Sequence, residues 1–144
     1  MAMVRQKTKR RSRKAEVRQP FEYVLLIAPK FNERKNKTVT RVAIRTVKEF
    51  TNFAYELIVD TRMEDRRLIL GIRGLRAPQL TFPAVGPATF ESEFDDLLGN
   101  YEVAVSKLGK EVNVFRVDIR PENVTLEKKP AAGFVDVVTR PEEW

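Results

Sequence analysis

Between Phe21 and Val138 the chain is cut into short runs of β-branched and aromatic residues, parted by Gly, Pro, Asn and clusters of charge. The first apolar run, Val24 to Ala28, stops at Pro29, far short of the roughly 20 residues a spanning helix needs. Runs this short at this spacing favour an all-β domain. Phe21 to Ala28 and Thr38 to Thr46 read as two strands joined by the polar stretch Asn32 to Lys37. Phe53, Tyr55, Leu57 and Val59 share one parity, as do Leu68, Leu70 and Ile72, and a turn through Thr61 to Asp65 makes these two runs a hairpin. A helix over Thr46 to Leu57 competes, because Thr46 and Glu49 fit a capping box, but β-branched and aromatic content favours the strand.

Gly74 to Thr89 holds Pro78, Pro83 and Pro87 and reads as an irregular connection. Phe90, Phe94, Leu97 and Leu98 then recur at helical spacing, which predicts one short helix capped by Thr89 and ended by Gly99, with Glu91, Glu93, Asp95 and Asp96 on its wet face. Tyr101, Val103 and Val105 open a second hairpin, turned at Lys107 to Lys110. On its return strand Val112 and Val114 share one parity while Phe115, Val117 and Ile119 share the other, so the phase slips. A β-bulge near Val114 and Phe115, or burial of both faces, would account for that. Val124 to Leu126 and Phe134 to Val138 complete a mainly β fold, an antiparallel sandwich or open barrel of about eight strands.

Charge divides the chain more sharply than hydrophobicity does. The net charge is +7, and the first eighteen residues account for all of it. Arg5, Lys7, Lys9, Arg10, Arg11, Arg13, Lys14 and Arg18 stand there against the single acid Glu16, which leaves 19 basic and 19 acidic side chains in the remainder. Residues 1–19 therefore read as a flexible, disordered basic arm, and residues 20–144 as one β-rich domain with a short acidic tail, Glu142 and Glu143. Such an arm suits nucleic-acid phosphates, anionic lipid headgroups or an acidic protein surface, or it serves only to keep the chain in solution. It lacks the aromatic residues of a single-strand stacking platform. No apolar stretch follows the arm, as a secretory or twin-arginine signal would require, so a cytoplasmic location is expected.

The chain has neither His nor Cys. Iron–sulfur, zinc and most haem ligation is thereby excluded, as are Ser-His-Asp and Cys-His nucleophiles built from one chain, so neither a cofactor nor an enzymatic activity is expected. The acidic cluster at Glu91 to Asp96 matches no calcium loop, and a solvated face explains it. Arg62, Arg66, Arg67, Arg73 and Arg76 form a second basic cluster, in which Arg67 and Arg73 project opposite Leu68, Leu70 and Ile72. It either extends the footprint of the arm or is an ordinary wet sheet face. Trp144, the only tryptophan, is either a frayed end or an aromatic anchor for a partner.

The basic opening Arg10-Arg11-Ser12-Arg13-Lys14-Ala15-Glu16-Val17-Arg18-Gln19-Pro20-Phe21, on a small cysteine-free β domain, resembles the small peripheral D subunits of green sulfur bacterial photosynthetic reaction centres. The resemblance implies a cofactor-free accessory subunit on the cytoplasmic side of the inner membrane. There it would contact the reaction-centre core, the iron–sulfur cluster subunit and the antenna protein, stabilise the cluster subunit and assist electron transfer to ferredoxin. The expected partner-binding residues are the eight arm cations with Arg67, Arg73 and Trp144. A nucleic-acid or ribosome-binding β module using the same arm is the alternative.

Overall fold

A computed structural model describes residues 21–52, 54–77, 84–130 and 132–144. The expected basic arm, residues 1–19, lies outside the described residues, as do Pro20, Phe53, Pro78 and Pro83. The described chain forms nine strands: β1 (Tyr23–Asn32), β2 (Lys37–Phe50), β3 (Glu56–Glu64), β4 (Arg67–Arg76), β5 (Gly86–Phe94), β6 (Gly99–Lys107), β7 (Glu111–Ile119), β8 (Val124–Lys128) and β9 (Val135–Val138). A 3-10 turn, Pro141–Glu143, follows. All nine lie in one sheet of order β9-β1-β2-β5-β3-β4-β6-β7-β8, curled into a nearly closed barrel.

Local chemistry sets the hairpins. β1 and β2 pair from Tyr23↔Thr46 to Asn32↔Lys37, and Asn36 takes the left-handed conformation at φ 53° in the turn between them. β3 and β4 form the expected hairpin, although β3 runs on to Glu64 and the turn tightens onto Asp65 and Arg66, with Asp65 at φ 54°. Leu108 and Gly109, at φ 54° and 68°, turn β6 into β7. Three contacts are parallel: β9 with β1, β4 with β6, and β5 with β3. The last rests on the single pair Glu56↔Thr89 and joins the two halves of the sheet.

Inward residues fill the barrel, with Leu25, Ile27, Ile44, Leu70, Ile72, Phe115 and Val117 at or near zero exposure. The predicted parity of Leu68, Leu70 and Ile72 is the buried one. Two sequence expectations are corrected, and the helix that competed with the favoured strand over Thr46 to Leu57 does not form. Thr89 to Phe94 is strand β5 and not the start of a helix: it pairs with β2 from Thr40↔Phe94 to Arg45↔Thr89, and Gly86 to Thr89, expected to be irregular, belongs to the same strand. Phe90 and Phe94, four apart, share a helix face but equally share a strand face, while Glu91 and Glu93 between them alternate outward. Thr46 caps no helix, lying in β2 with its hydroxyl donating to the Lys48 carbonyl at 2.7 Å and accepting the Ala88 N–H at 2.9 Å. It thereby bridges the register shift between Arg45 and Glu49. Finally, β7 has no bulge at Val114 and Phe115, because its ladder with β6 runs unbroken from Gly99↔Ile119 to Lys107↔Glu111. The shift lies between Arg116 and Val117, in the pairing with β8.

The barrel seam falls between β8 and β9, the two ends of the strand order. Asn113 closes it from β7: its Oδ1, buried, accepts the N–H groups of Phe134 and Val135 at 2.9 and 3.1 Å. The Phe134 carbonyl in turn accepts from the N–H groups of Glu22 and Tyr23, so the entry to β1 is tied to the same point.

Candidate partner-binding surface

Arg67 and Arg73 do project from the outer face of β4, opposite the buried leucines, but both are held by neighbours on their own sheet. Arg67 Nε lies 2.8 Å from Glu102, and Arg73 Nη1 lies 2.6 Å from Asp60. Arg62 pairs with Glu64 at 3.0 Å and Arg76 with Glu56 at 2.8 Å. Arg66 donates to the carbonyls of Leu98 and Asn100 and stacks its guanidinium 4.4 Å from the centroid of Tyr101. Three of the five arginines, Arg67, Arg73 and Arg76, are thus matched by cross-strand acids, Arg62 by an acid on its own strand, and Arg66 by backbone carbonyls and a ring.

The acids of β5 and of the two residues after it are matched as well. Lys30 reaches Glu93 at 2.8 Å, Arg41 reaches Glu91 at 2.8 Å and Lys35 reaches Asp95 at 2.8 Å, while Lys37 lies 3.4 Å from Asp96. Hydrogen bonds from Lys30 and Asn32 hold the Glu93 carboxyl below its ordinary value, and the Lys35 bond does the same for Asp95. The same bonds raise Lys30 and Lys35. Among the described residues no grouping of carboxylates could hold a metal ion, and no helix is long and apolar enough to cross a membrane.

Trp144 is engaged by its own barrel. Its indole Nε1 donates to the Val24 carbonyl at 3.4 Å, Arg45 Nε donates to its backbone oxygen at 3.1 Å, and Arg41 lies 5.3 Å from the ring centroid. The ring packs with Val138 over Leu26, Ala28 and Ala43, an apolar strip on the outer side of β1 and β2. Trp144 is therefore packed against the chain's own sheet and is not a frayed end.

What the sequence reading missed lies on β7 and β8. Val112 and Val114 point outward and are 55% and 39% exposed, because the buried parity of this strand begins at Asn113 and not at a valine. The slipped phase was the signal. Beside them Arg116 stands opposite Glu102 in the ladder with β6 and opposite Lys128 in the ladder with β8, the second a like-charge juxtaposition that is unfavourable in isolation. Arg116, Lys128 and Lys129 carry no ion pair or side-chain hydrogen bond among the described residues. They border two adjoining hollows. One of about 290 Å³ is lined by Glu102, Val114, Phe115, Arg116, Lys128, Lys129 and Pro130. The other, about 260 Å³ and mainly apolar, lies at the seam among Phe21, Phe115, Pro130, Ala132, Val135 and Val137, with Lys129 and Asp136 at its wall. Phe21 is also where the basic segment meets the barrel.

Comparison with protein-family models, with curated proteins and with solved structures yields no match to this chain. Fold and surface define a class, a nearly closed β barrel that pairs most of its own surface charge and leaves unpaired cations beside its seam.

Proposed function

We propose that this protein is a docking subunit without catalytic chemistry of its own, in which the barrel is the body and residues 5–18 hold an anionic partner. One observation carries the reading. The barrel carries equal numbers of basic and acidic side chains and pairs most of its acids with its own cations, whereas the whole surplus of +7 lies in residues 1–18. A surplus set apart in this way has no partner of its own sign balance within the chain. It steers and holds negative surfaces.

The particular form supported by the resemblance is an accessory subunit of a photosynthetic reaction centre. It would sit on the cytoplasmic face beside the iron–sulfur subunit and the antenna protein, where acidic protein surfaces and lipid headgroups are the anions and acidic ferredoxin is a mobile partner. The basic opening through Phe21 and the small β body support this form. The test is fractionation of the native cell at low salt. The full chain is expected to travel with pigmented membranes and to be released by high salt, and a chain lacking residues 1–18 is expected to stay in the soluble fraction. Absence of the full chain from those membranes at low salt would overturn the reaction-centre form. Retention instead on nucleic acid, lost with the same deletion, would move the docking reading to the nucleic-acid alternative.

A further inference from the structure

The seam groove brings three features together. Arg116, Lys128 and Lys129, without ion pairs among the described residues, border one hollow, Val112 and Val114 are exposed on the same strand as Arg116, and an apolar cavity opens between β7 and β9. Its volume of about 260 Å³ falls under the 300–1,000 Å³ usual for small-molecule sites, so it suits one large apolar side chain better than a cofactor. The chain's own basic segment joins the barrel at Phe21, on the cavity wall, and carries the same sign of charge as Arg116, Lys128 and Lys129, which makes it an unfavourable occupant of the groove. An anionic occupant reverses that sign, and it relieves the Arg116 and Lys128 juxtaposition as it binds.

From this we infer that the groove is a docking site for an extended acidic segment of a partner protein carrying one large apolar residue. The acids lie along Arg116, Lys128 and Lys129, and the apolar side chain enters the cavity over Phe115. The exposed valines favour protein over nucleic acid, since they offer aliphatic contact and no aromatic face on which a base could stack. This deepens the docking reading and rests on it: residues 5–18 supply long-range attraction, and the groove supplies register and specificity through a buried anchor.

The experiment uses the full chain and fluorescence anisotropy with three labelled probes: an Asp/Glu peptide with a central leucine, the same peptide with serine at that place, and a short oligothymidylate. At low salt the leucine peptide is expected to bind about tenfold or more tightly than the serine peptide. Ala132 is exposed on the cavity wall, so Ala132→Trp fills the cavity without disturbing the core and is expected to abolish the leucine preference. Lys128→Glu with Lys129→Glu, both exposed, is expected to weaken both peptides by about tenfold or more while the β circular dichroism spectrum stays unchanged. Equal binding of the two peptides overturns the anchor site. Peptide binding that is lost on deleting residues 1–18 but indifferent to the Lys128 and Lys129 changes overturns the groove and leaves the docking reading standing. Failure of both peptides to bind the full chain overturns the groove site while the fractionation above still tests the docking reading, and oligothymidylate binding that only the groove variants weaken overturns the protein partner in favour of nucleic acid.

Discussion

Asn113 shows how one polar side chain can decide a register. Its position in β7 is inward, between buried Val105 across the ladder and the segment entering β9, where alternation alone would place an aliphatic residue. An aliphatic group there would leave the N–H groups of Phe134 and Val135 without their acceptor. A buried donor left unmet costs about 1–3 kcal/mol, so Asn113→Leu is expected to destabilise the barrel by about 2–4 kcal/mol in urea unfolding. Gly133 is part of the same arrangement, because a Cβ there would lie 2.4 Å from Asn113 Oδ1. Gly133→Ala should therefore displace the asparagine and lose much of the same stability. In the Asn113→Leu background its added cost should shrink, a non-additivity that a double-mutant cycle reads directly. Fully additive costs would show that the two residues act separately. The sequence carried the trace of this as a phase slip from Val112 to Phe115, but hydrophobic periodicity registers apolar residues only. It cannot see a hydrogen bond owed to a strand more than twenty positions away.

At the level of elements, the legible parts of the fold were those whose pattern is local. The hairpins β3–β4 and β6–β7 were written in alternation and in the turn residues around Asp65 and Gly109, and both formed, β3–β4 with its turn at Asp65 and Arg66 and not over Thr61 to Asp65. β5 was misread because Phe90 and Phe94 satisfy two periods at once. What decides between them is a neighbour, since Lys30 on β1 and Arg41 on β2 stand opposite the acids of β5, and Lys35 in the turn between them pairs with Asp95 just beyond it. Such cross-strand pairing has no signature within the segment itself. The exposed cations of β7 and β8 were missed likewise, because which charges go unpaired depends on register. The β5 pairs also set a pH signature. Glu93 and Asp95 are held below the ordinary carboxylate values of about 4, so an unfolded chain takes up their protons first as acid is added. Their contribution is present above that range and is lost as pH falls through the folded values. Lys30 and Lys35 are raised, so theirs is lost only as pH rises past the ordinary lysine value of about 10.4. With no histidine to titrate between, stability should be flat across neutral pH. Lys30→Met removes the larger cause of the Glu93 shift, and NMR titration should then find that carboxyl moved back toward its ordinary value. An unmoved Glu93 titration would show that Lys30 does not hold it.

For the molecule as a whole, the decisive property is the separation of a balanced barrel from a surplus of charge that adjoins it at Phe21. The pairs on the barrel are exposed, and exposed pairs contribute about 0–1 kcal/mol each and are screened by salt. Stability is accordingly left to the interior from Leu25 to Phe115, which salt does not weaken. Association is the opposite case, because holding several phosphates or carboxylates with residues 5–18 makes affinity fall steeply with ionic strength. Binding and folding should thus respond to salt independently. Between about 0.05 and 0.5 M sodium chloride the full chain should lose nearly all retention on an anionic resin, while its unfolding midpoint moves by no more than a few degrees. A chain lacking residues 1–18, with 19 basic and 19 acidic side chains, should keep that midpoint and show little retention at either salt. If deletion instead lowered the midpoint substantially, the segment would be part of what stabilises the barrel. The same loss of stability would then remove the ground for treating residues 5–18 as free to hold a partner.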